Sequence, residues 1–313
     1  MFYRVKHITE YLYSNRVSHC YNLAHLIPRN TLRQRCLVSN ITVEPAVAYS
    51  AKREDYFGNT TFHFEIQRPH KKLVITALSE VESSPQHSNL QLDFGITCGD
   101  ALRHLASTKN TEMLLAREFI LDSPIIKANK ALRDYALPFF SMDRPLLSAV
   151  MDLTRHIHKD FTYCPESTTV ATPLDEVLKT KRGVCQDFAH LQIGCLRALG
   201  FPAKYVSGYI ETLPLPGKEK LLGSDASHAW ISVFSPTEGW FEFDPTNNCL
   251  VSEQHIITAW GRDFFDVTPL SGVIFGGGTK PILKVSVDVS RIESPPILDQ
   301  RQNQTSPPSY LRR

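Results

Sequence analysis

The chain reads as an α+β protein, and three observations carry that reading. Residues 2–82 hold short runs of alternating or β-branched apolar residues separated by turns. Between 99 and 158 the apolar residues shift to helical spacing. A later stretch joins one more helix, running on from Gln186 to Leu199, to strand-like runs around a compact turn at Ser235–Gly239. With 313 residues, 42% of them apolar, the chain is long enough for two domains. The expected division is an antiparallel β-sandwich at 1–95, a helical connection at 96–140, a mixed α+β core at 141–292 and a disordered tail at 293–313.

In the amino-terminal part, Phe2–His7, Cys36–Val43, Thr61–Gln67 and Leu73–Glu82 read as strands, and Asp55-Tyr56-Phe57-Gly58-Asn59 as a turn. Tyr21–Pro28 is ambiguous between helix and strand. Five histidines are scattered here (His7, His19, His25, His63 and His70) and form no catalytic motif. Residues 84–98 are polar and proline-marked, as a linker would be. Helical spacing follows from Gly99 to Leu137. Ser123-Pro124 offers an N-cap and a first-turn proline for a further helix, and Leu146–His158 carries apolar residues at 146, 147, 150, 153 and 157. Thr172 is placed to cap a short helix, with Pro173 at its first position and Asp175 completing a capping-box-like pattern. Ala203–Ile210 reads as a strand, Glu211–Ser224 as a surface loop and Pro281–Ile292 as a final strand. The Pro-, Gln-, Ser- and Arg-rich end reads as disordered.

Chemistry concentrates at Arg182-Gly183-Val184-Cys185-Gln186-Asp187. Gly183 allows a tight approach. Phe188, Leu191, Cys195 and Leu199 recur at helical spacing, and Gly200 with Phe201-Pro202 stops the helix. Cys185 therefore stands at the positive end of a helix dipole, a location that favours the nucleophilic thiolate. The competing reading is a small packed thiol. A thiol nucleophile needs a base, and the base an orienting acid. Asp225–Phe234 and Trp240–Asn247 read as two strands of a hairpin. A loop of three or five residues centred on Thr237 sets His228 opposite Thr246, with Asp244 its diagonal neighbour on the same face. A loop with an even number of residues sends the two to opposite faces.

Four segments in this order, Arg182–His190, Phe201–Ile210, Ser227–Trp230 and Phe243–Asn247, resemble the transglutaminase-like superfamily. More narrowly, they resemble its bacterial members with a β-rich domain before the catalytic part. The resemblance implies a papain-like/transglutaminase-like α+β core with Cys185 as nucleophile, His228 as base and Asp244 as orienting acid. Tyr163, Gln186 and Trp230 are candidates for binding substrate or stabilising an oxyanion. The expected activity is cysteine-dependent acyl transfer at amide bonds of a protein, peptide or other amide substrate. Hydrolysis by a peptidase or amidase is preferred. Protein-glutamine gamma-glutamyltransferase cross-linking, acyl transfer of the arylamine N-acetyltransferase type and a non-catalytic binding module are the alternatives.

Composition narrows the partners. A formal net charge of +2 gives no bulk field for nucleic acid. The seven cysteines are odd in number and have no zinc or disulfide spacing, which fits a reducing cytoplasm. No metal and no cofactor is expected, since no calcium-loop pattern occurs and Gly276-Gly277-Gly278 lacks the lysine of a phosphate loop. The start of the chain carries charges within six residues, and no apolar run reaches membrane-spanning length, so neither a secretory signal nor a membrane span is expected.

Overall fold

The computed structural model describes residues 1–85, 91–107, 109–169, 172–212 and 227–293. The elements run β1 (Phe2–Ala24), β2 (Gln34–Glu44), β3 (Tyr49–Glu54), β4 (Thr60–Ile66), β5 (His70–Ser83), α1 (Cys98–Ser107), α2 (Thr111–Arg117), α3 (Lys130–Ala136) and α4 (Leu146–Asp160). Then follow β6 (Thr162–Tyr163), α5 (Leu174–Thr180), β7 (Arg182–Gly183), α6 (Cys185–Ala198), β8 (Ala203–Ile210), β9 (Ser227–Ser235), β10 (Gly239–Asp244), β11 (Cys249–Leu250), β12 (His255–Gly261), β13 (Leu270–Gly276) and β14 (Ile282–Ile292). Among the described residues no helix is long and apolar enough to cross a membrane. Residues 294–313 of the tail expected at 293–313 and most of the loop expected at 211–224 fall outside the described residues.

The residues expected to form an antiparallel β-sandwich at the amino terminus lie in one seven-stranded antiparallel sheet in the order β2-β5-β1-β4-β3, with β13 and β14 also on β1. It is one continuous curled sheet because β1 is long enough to serve twice. Residues 2–12 pair with β5 and β14, while residues 17–24 pair with β13 and, from Cys20 to Ala24, with β4. Tyr21–Pro28, ambiguous in sequence, contains the end of β1. The last two strands, grouped by sequence with residues 141–292, pair with β1 in the amino-terminal sheet. Strand pairing follows hydrogen-bond register and not chain order, and the local pattern of Pro281–Ile292 holds no record of its partner.

The core is a five-stranded antiparallel sheet in the order β11-β10-β9-β8-β12, packed on α6. Ala203, Tyr205, Ala229, Ile231, Val233, Phe241 and Phe243 face the helices with Leu191, Cys195 and Leu196. Alternation puts Val206, Trp230, Val251 and Ile257 in a separate cluster on the other face. A third cluster, including Tyr3, Val5, Val81, Tyr209, Ile256 and Val289, fastens the amino-terminal sheet to the core. Two side-chain amides finish this union at the open edge of β12. Gln34 donates to the Ile257 carbonyl and accepts from its N–H, both at 2.8 Å. Asn59 does the same for Trp260, both at 2.9 Å. A carboxamide reproduces the donor–acceptor pair of a peptide, so these groups satisfy an edge that would otherwise be unpaired.

The helical region departs from sequence in two places. Ser123-Pro124 starts no helix. The Ser123 hydroxyl accepts from the buried Arg197 at 3.2 Å, and α3 begins instead behind Asn129, whose side chain accepts from the Leu132 N–H. Thr172 does not cap α5. Its hydroxyl accepts from the Thr169 N–H at 2.9 Å, and Pro173 takes the cap position without a side-chain bond.

Candidate active site

Cys185 is the first residue of α6, and the turn before it is tight for a visible reason. The Val184 N–H donates to the Asp187 carboxylate at 2.8 Å, and the Thr168 hydroxyl donates to the same oxygen at 2.6 Å. Asp187 thereby closes a cap over the helix start. A Cβ on Gly183 would lie 2.8 Å from the Asp187 side chain, so the turn admits no larger residue without moving the cap. The expected close approach at Gly183 is thus an approach to Asp187. Burial pushes the Asp187 carboxyl up, with Thr168 and Val184 opposing. Cys185 itself is half-buried and reachable.

The hairpin resolves the open question of register. Gly239 pairs with Ser235 and Trp240 with Phe234, so the loop has three residues, Pro236–Glu238. Gly239 follows it at φ +87°, a conformation that costs a residue with a Cβ far more. This odd-numbered loop is the register that sets His228 and Asp244 on one face, and the His228 Nε2 lies 2.7 Å from the Asp244 Oδ2. The Cys185 thiol lies beside the same imidazole, close enough to favour its protonated form. With Nε2 turned to Asp244, Nδ1 is the nitrogen left for the thiol. Cys185, His228 and Asp244 therefore come together at one point, with the imidazole between the thiol and the carboxylate.

Asp244 is fully buried and accepts from five donors. Oδ1 receives the backbone N–H groups of Thr246 and Asn247, at 2.9 and 3.1 Å. Oδ2 receives His228, the Asn247 amide at 2.7 Å and His255 at 3.1 Å. Burial opposes the charge, but the two histidines and the other donors outweigh it and hold the carboxyl far below the ordinary range. For His228, burial alone favours the neutral ring. Hydrogen bonds to Asp244 and Cys185, reinforced by their charge, reverse this and push it up to about 10.

The second histidine, His255, is the main residue that sequence reasoning missed. Its Nδ1 accepts the Ser252 N–H at 3.3 Å, which leaves the proton on Nε2 to donate to Asp244. It lies at the start of β12, a strand not expected from sequence; the β-branched run Ile256-Ile257-Thr258 was the available signal. Gly208 was also missed. It pairs with His228 across β8 and β9, and a Cβ there would lie 2.0 Å from the Ile256 carbonyl oxygen and 2.6 Å from the Trp230 ring. Antiparallel pairing gathers these groups at one end of the sheet: the ends of β8 and β10 and the starts of β9 and β12. The ligand atoms of His228, Asp244 and His255 lie within 4.8 Å of one another, a spacing that could hold a metal ion. Each of those ring nitrogens is engaged with the carboxylate, so a metal there would take the place of the shared protons.

The three accessory candidates separate. Tyr163 pairs through its backbone with Gly183, is 54% exposed, and sets its ring edge-on to Phe188 beside the Cys185 loop. Burial, and then the Cys185 charge, push its phenol up. Gln186 is half-buried on the first turn of α6. Trp230 is a correction: it is fully buried, its indole N–H donates to Glu242 at 2.7 Å, and its ring centroid lies 5.9 Å from that of His228 and 5.2 Å from that of His255. It backs the two imidazoles and offers no surface to substrate. Glu242 in turn is paired with Arg33 at 3.0 Å, so a residue of the amino-terminal part supports the packing behind His228.

Comparison with known proteins places the chain in a family. Residues 3–82 match the family described as the bacterial transglutaminase-like N-terminal region, and residues 133–245 match the transglutaminase-like superfamily. An uncharacterized protein of Mycobacterium tuberculosis (strain H37Rv) is 43% identical over 297 residues, 93% of each chain. A protein-glutamine gamma-glutamyltransferase of Pseudomonas aeruginosa is 30% identical over 118 residues, 37% of this chain and 18% of that one. A crystal structure of a candidate cysteine protease from Cytophaga hutchinsonii superposes with a TM-score of 0.70 at 19% identity, covering 95% of this chain and 93% of the other. At that identity the likeness is one of fold.

Proposed function

Because this chain belongs to the transglutaminase-like superfamily, we propose that it is a cysteine-dependent amide hydrolase acting on peptide or isopeptide-like amides. The observation that carries the reading is the convergence of Cys185 and His228, with His228 hydrogen-bonded to a buried, five-donor Asp244. Asp244 fixes the tautomer of His228 and favours its imidazolium, which pairs with the Cys185 thiolate. The thiolate attacks the amide carbonyl. The backbone N–H of Cys185, at the start of a helix, donates to the developing oxyanion, with the Tyr163 hydroxyl or the Gln186 amide as the second donor. His228 hands its proton to the leaving amine, and water then resolves the thioester, returning the free thiol and a carboxylic acid.

The likeness to a gamma-glutamyltransferase over 118 residues favours one second reading, in which a primary amine replaces water as acceptor. One experiment tests both. Peptide amides, including glutamine-containing peptides, are incubated with wild type and with Cys185→Ala, with and without hydroxylamine. Release of ammonia or a peptide fragment without added amine, absent in Cys185→Ala, supports hydrolysis. Turnover only with hydroxylamine, yielding the hydroxamate, supports transfer. Turnover that survives Cys185→Ala overturns both.

A further inference from the structure

A second pocket lies away from the thiol. It opens where the segment after β1 meets β8, β9 and β10, a cavity of about 620 Å³ walled by Leu32, Arg33, Lys204, Trp240, Glu242 and Trp260. Lys204 stands four residues along β8 from Gly208, roughly 13 Å at the rise of a strand. It is 8% exposed. Its Nζ lies 3.6 Å from the Trp240 ring centroid and 4.5 Å from that of Trp260, with Arg29 stacked at 3.6 Å on Trp260.

The polar groups of this wall are unevenly satisfied. Glu242 is taken by Arg33 and by the Trp230 indole, and Glu238 by the Ser235 hydroxyl. Glu112, at the rim, is exposed. Among the described residues Lys204 has no carboxylate within ion-pair distance, and the Arg33 Nε is buried without a hydrogen-bond partner. The unanswered groups are thus donors and cations, and a buried cation without an anion is costly. Burial and the neighbouring Arg29 push Lys204 down to about 7, Glu242 and Glu112 opposing.

We propose that this cavity is a binding site for a small organic carboxylate with an apolar body, the Lys204 ammonium, held against Trp240 and Trp260, taking the carboxylate and the open volume beside Leu32 taking the body. The bound anion supplies the counter-charge that Lys204 lacks, and the volume and mixed apolar and polar lining of the cavity are those of a small-molecule pocket.

The test is a titration of the full chain with phenylacetate and with its neutral counterpart phenylacetamide, read by calorimetry and by tryptophan fluorescence. Two of the three tryptophans line the cavity. Phenylacetate is expected to bind at least about tenfold more tightly than the amide. Lys204→Met should erase that preference, while Lys204→Arg and Cys185→Ala should keep it. Equal binding of acid and amide, an unchanged preference in Lys204→Met, or no binding of phenylacetate at about 10 mM would overturn the proposal. Lys204→Met removes an unpaired buried charge and keeps the alkyl stem, so its Tm should not fall. Were it to misfold, the acid–amide comparison in wild type and in Lys204→Arg still decides.

Discussion

Two buried carboxylates flank the machinery around Cys185, and they behave in opposite ways. Asp187, on the first turn of α6, accepts from two donors, and burial pushes its carboxyl up. Asp244, at the end of β10, is buried still more deeply, yet its carboxyl is held far down. The difference is the donor count and the kind of donor. Asp244 has five, two of them imidazoles carried in on separate strands. Burial alone therefore does not decide the charge of a carboxylate here; the strand ends that converge on it do. Asp187 is built as a helix cap, and Asp244 as a fixed anion that holds a base.

Removing the charge at each site sharpens the contrast. Asp244→Asn should lower kcat/KM for amide hydrolysis by about 10³- to 10⁴-fold, because His228 loses the partner that sets its tautomer. Steady-state kinetics on the folded variant checks this. His255→Ala should lower kcat by about tenfold, the effect of one lost hydrogen bond to a charged group. His255→Gln, whose amide can donate in its place, should recover most of that loss, which a purely packing role would not predict.

At the other carboxylate, Asp187→Ala should cost about 1 kcal/mol of stability, as the loss of a helix cap does, while kcat changes by less than about threefold. Thermal unfolding and kinetics together test it. A last effect concerns pH. The His228 pKa is raised from 6.5 to about 10 in the folded protein, so its contribution to stability is full below 6.5 and is lost as pH rises towards 10. The Tm difference between wild type and His228→Gln should therefore shrink across that window.

The same two carboxylates mark what sequence could and could not disclose. Asp187 lies three residues beyond the N-cap Val184, so its structural role is written in local spacing. Asp244 and His228 are sixteen residues apart, and their meeting depended on whether the loop at Thr237 had an odd or even number of residues. The sequence allowed the pair, and the three-residue loop ending at Gly239 produced it. His255 and Gly208 could not be read in this way. Their part in the site comes from the pairing of β12 with β8, which no local pattern specifies. The helix behind Cys185 was legible because apolar spacing, Gly200 and Pro202 all agreed. By contrast, β13 and β14 were legible as strand character but not in their return to β1. Trp230 looked available for substrate because its segment carries the family resemblance, but its full burial and its bond to Glu242 show it facing inward.

The central claim is that Cys185 and His228 act as one proton-sharing pair. Its most direct test is the rate of Cys185 alkylation by iodoacetamide against pH, in wild type and in His228→Ala. A paired thiolate predicts that wild-type Cys185 at pH 6 reacts within about threefold of its rate at pH 8, while the His228→Ala rate falls steeply over the same interval. Identical pH profiles in the two proteins would contradict the pair and, with it, the assignment of His228 as the base.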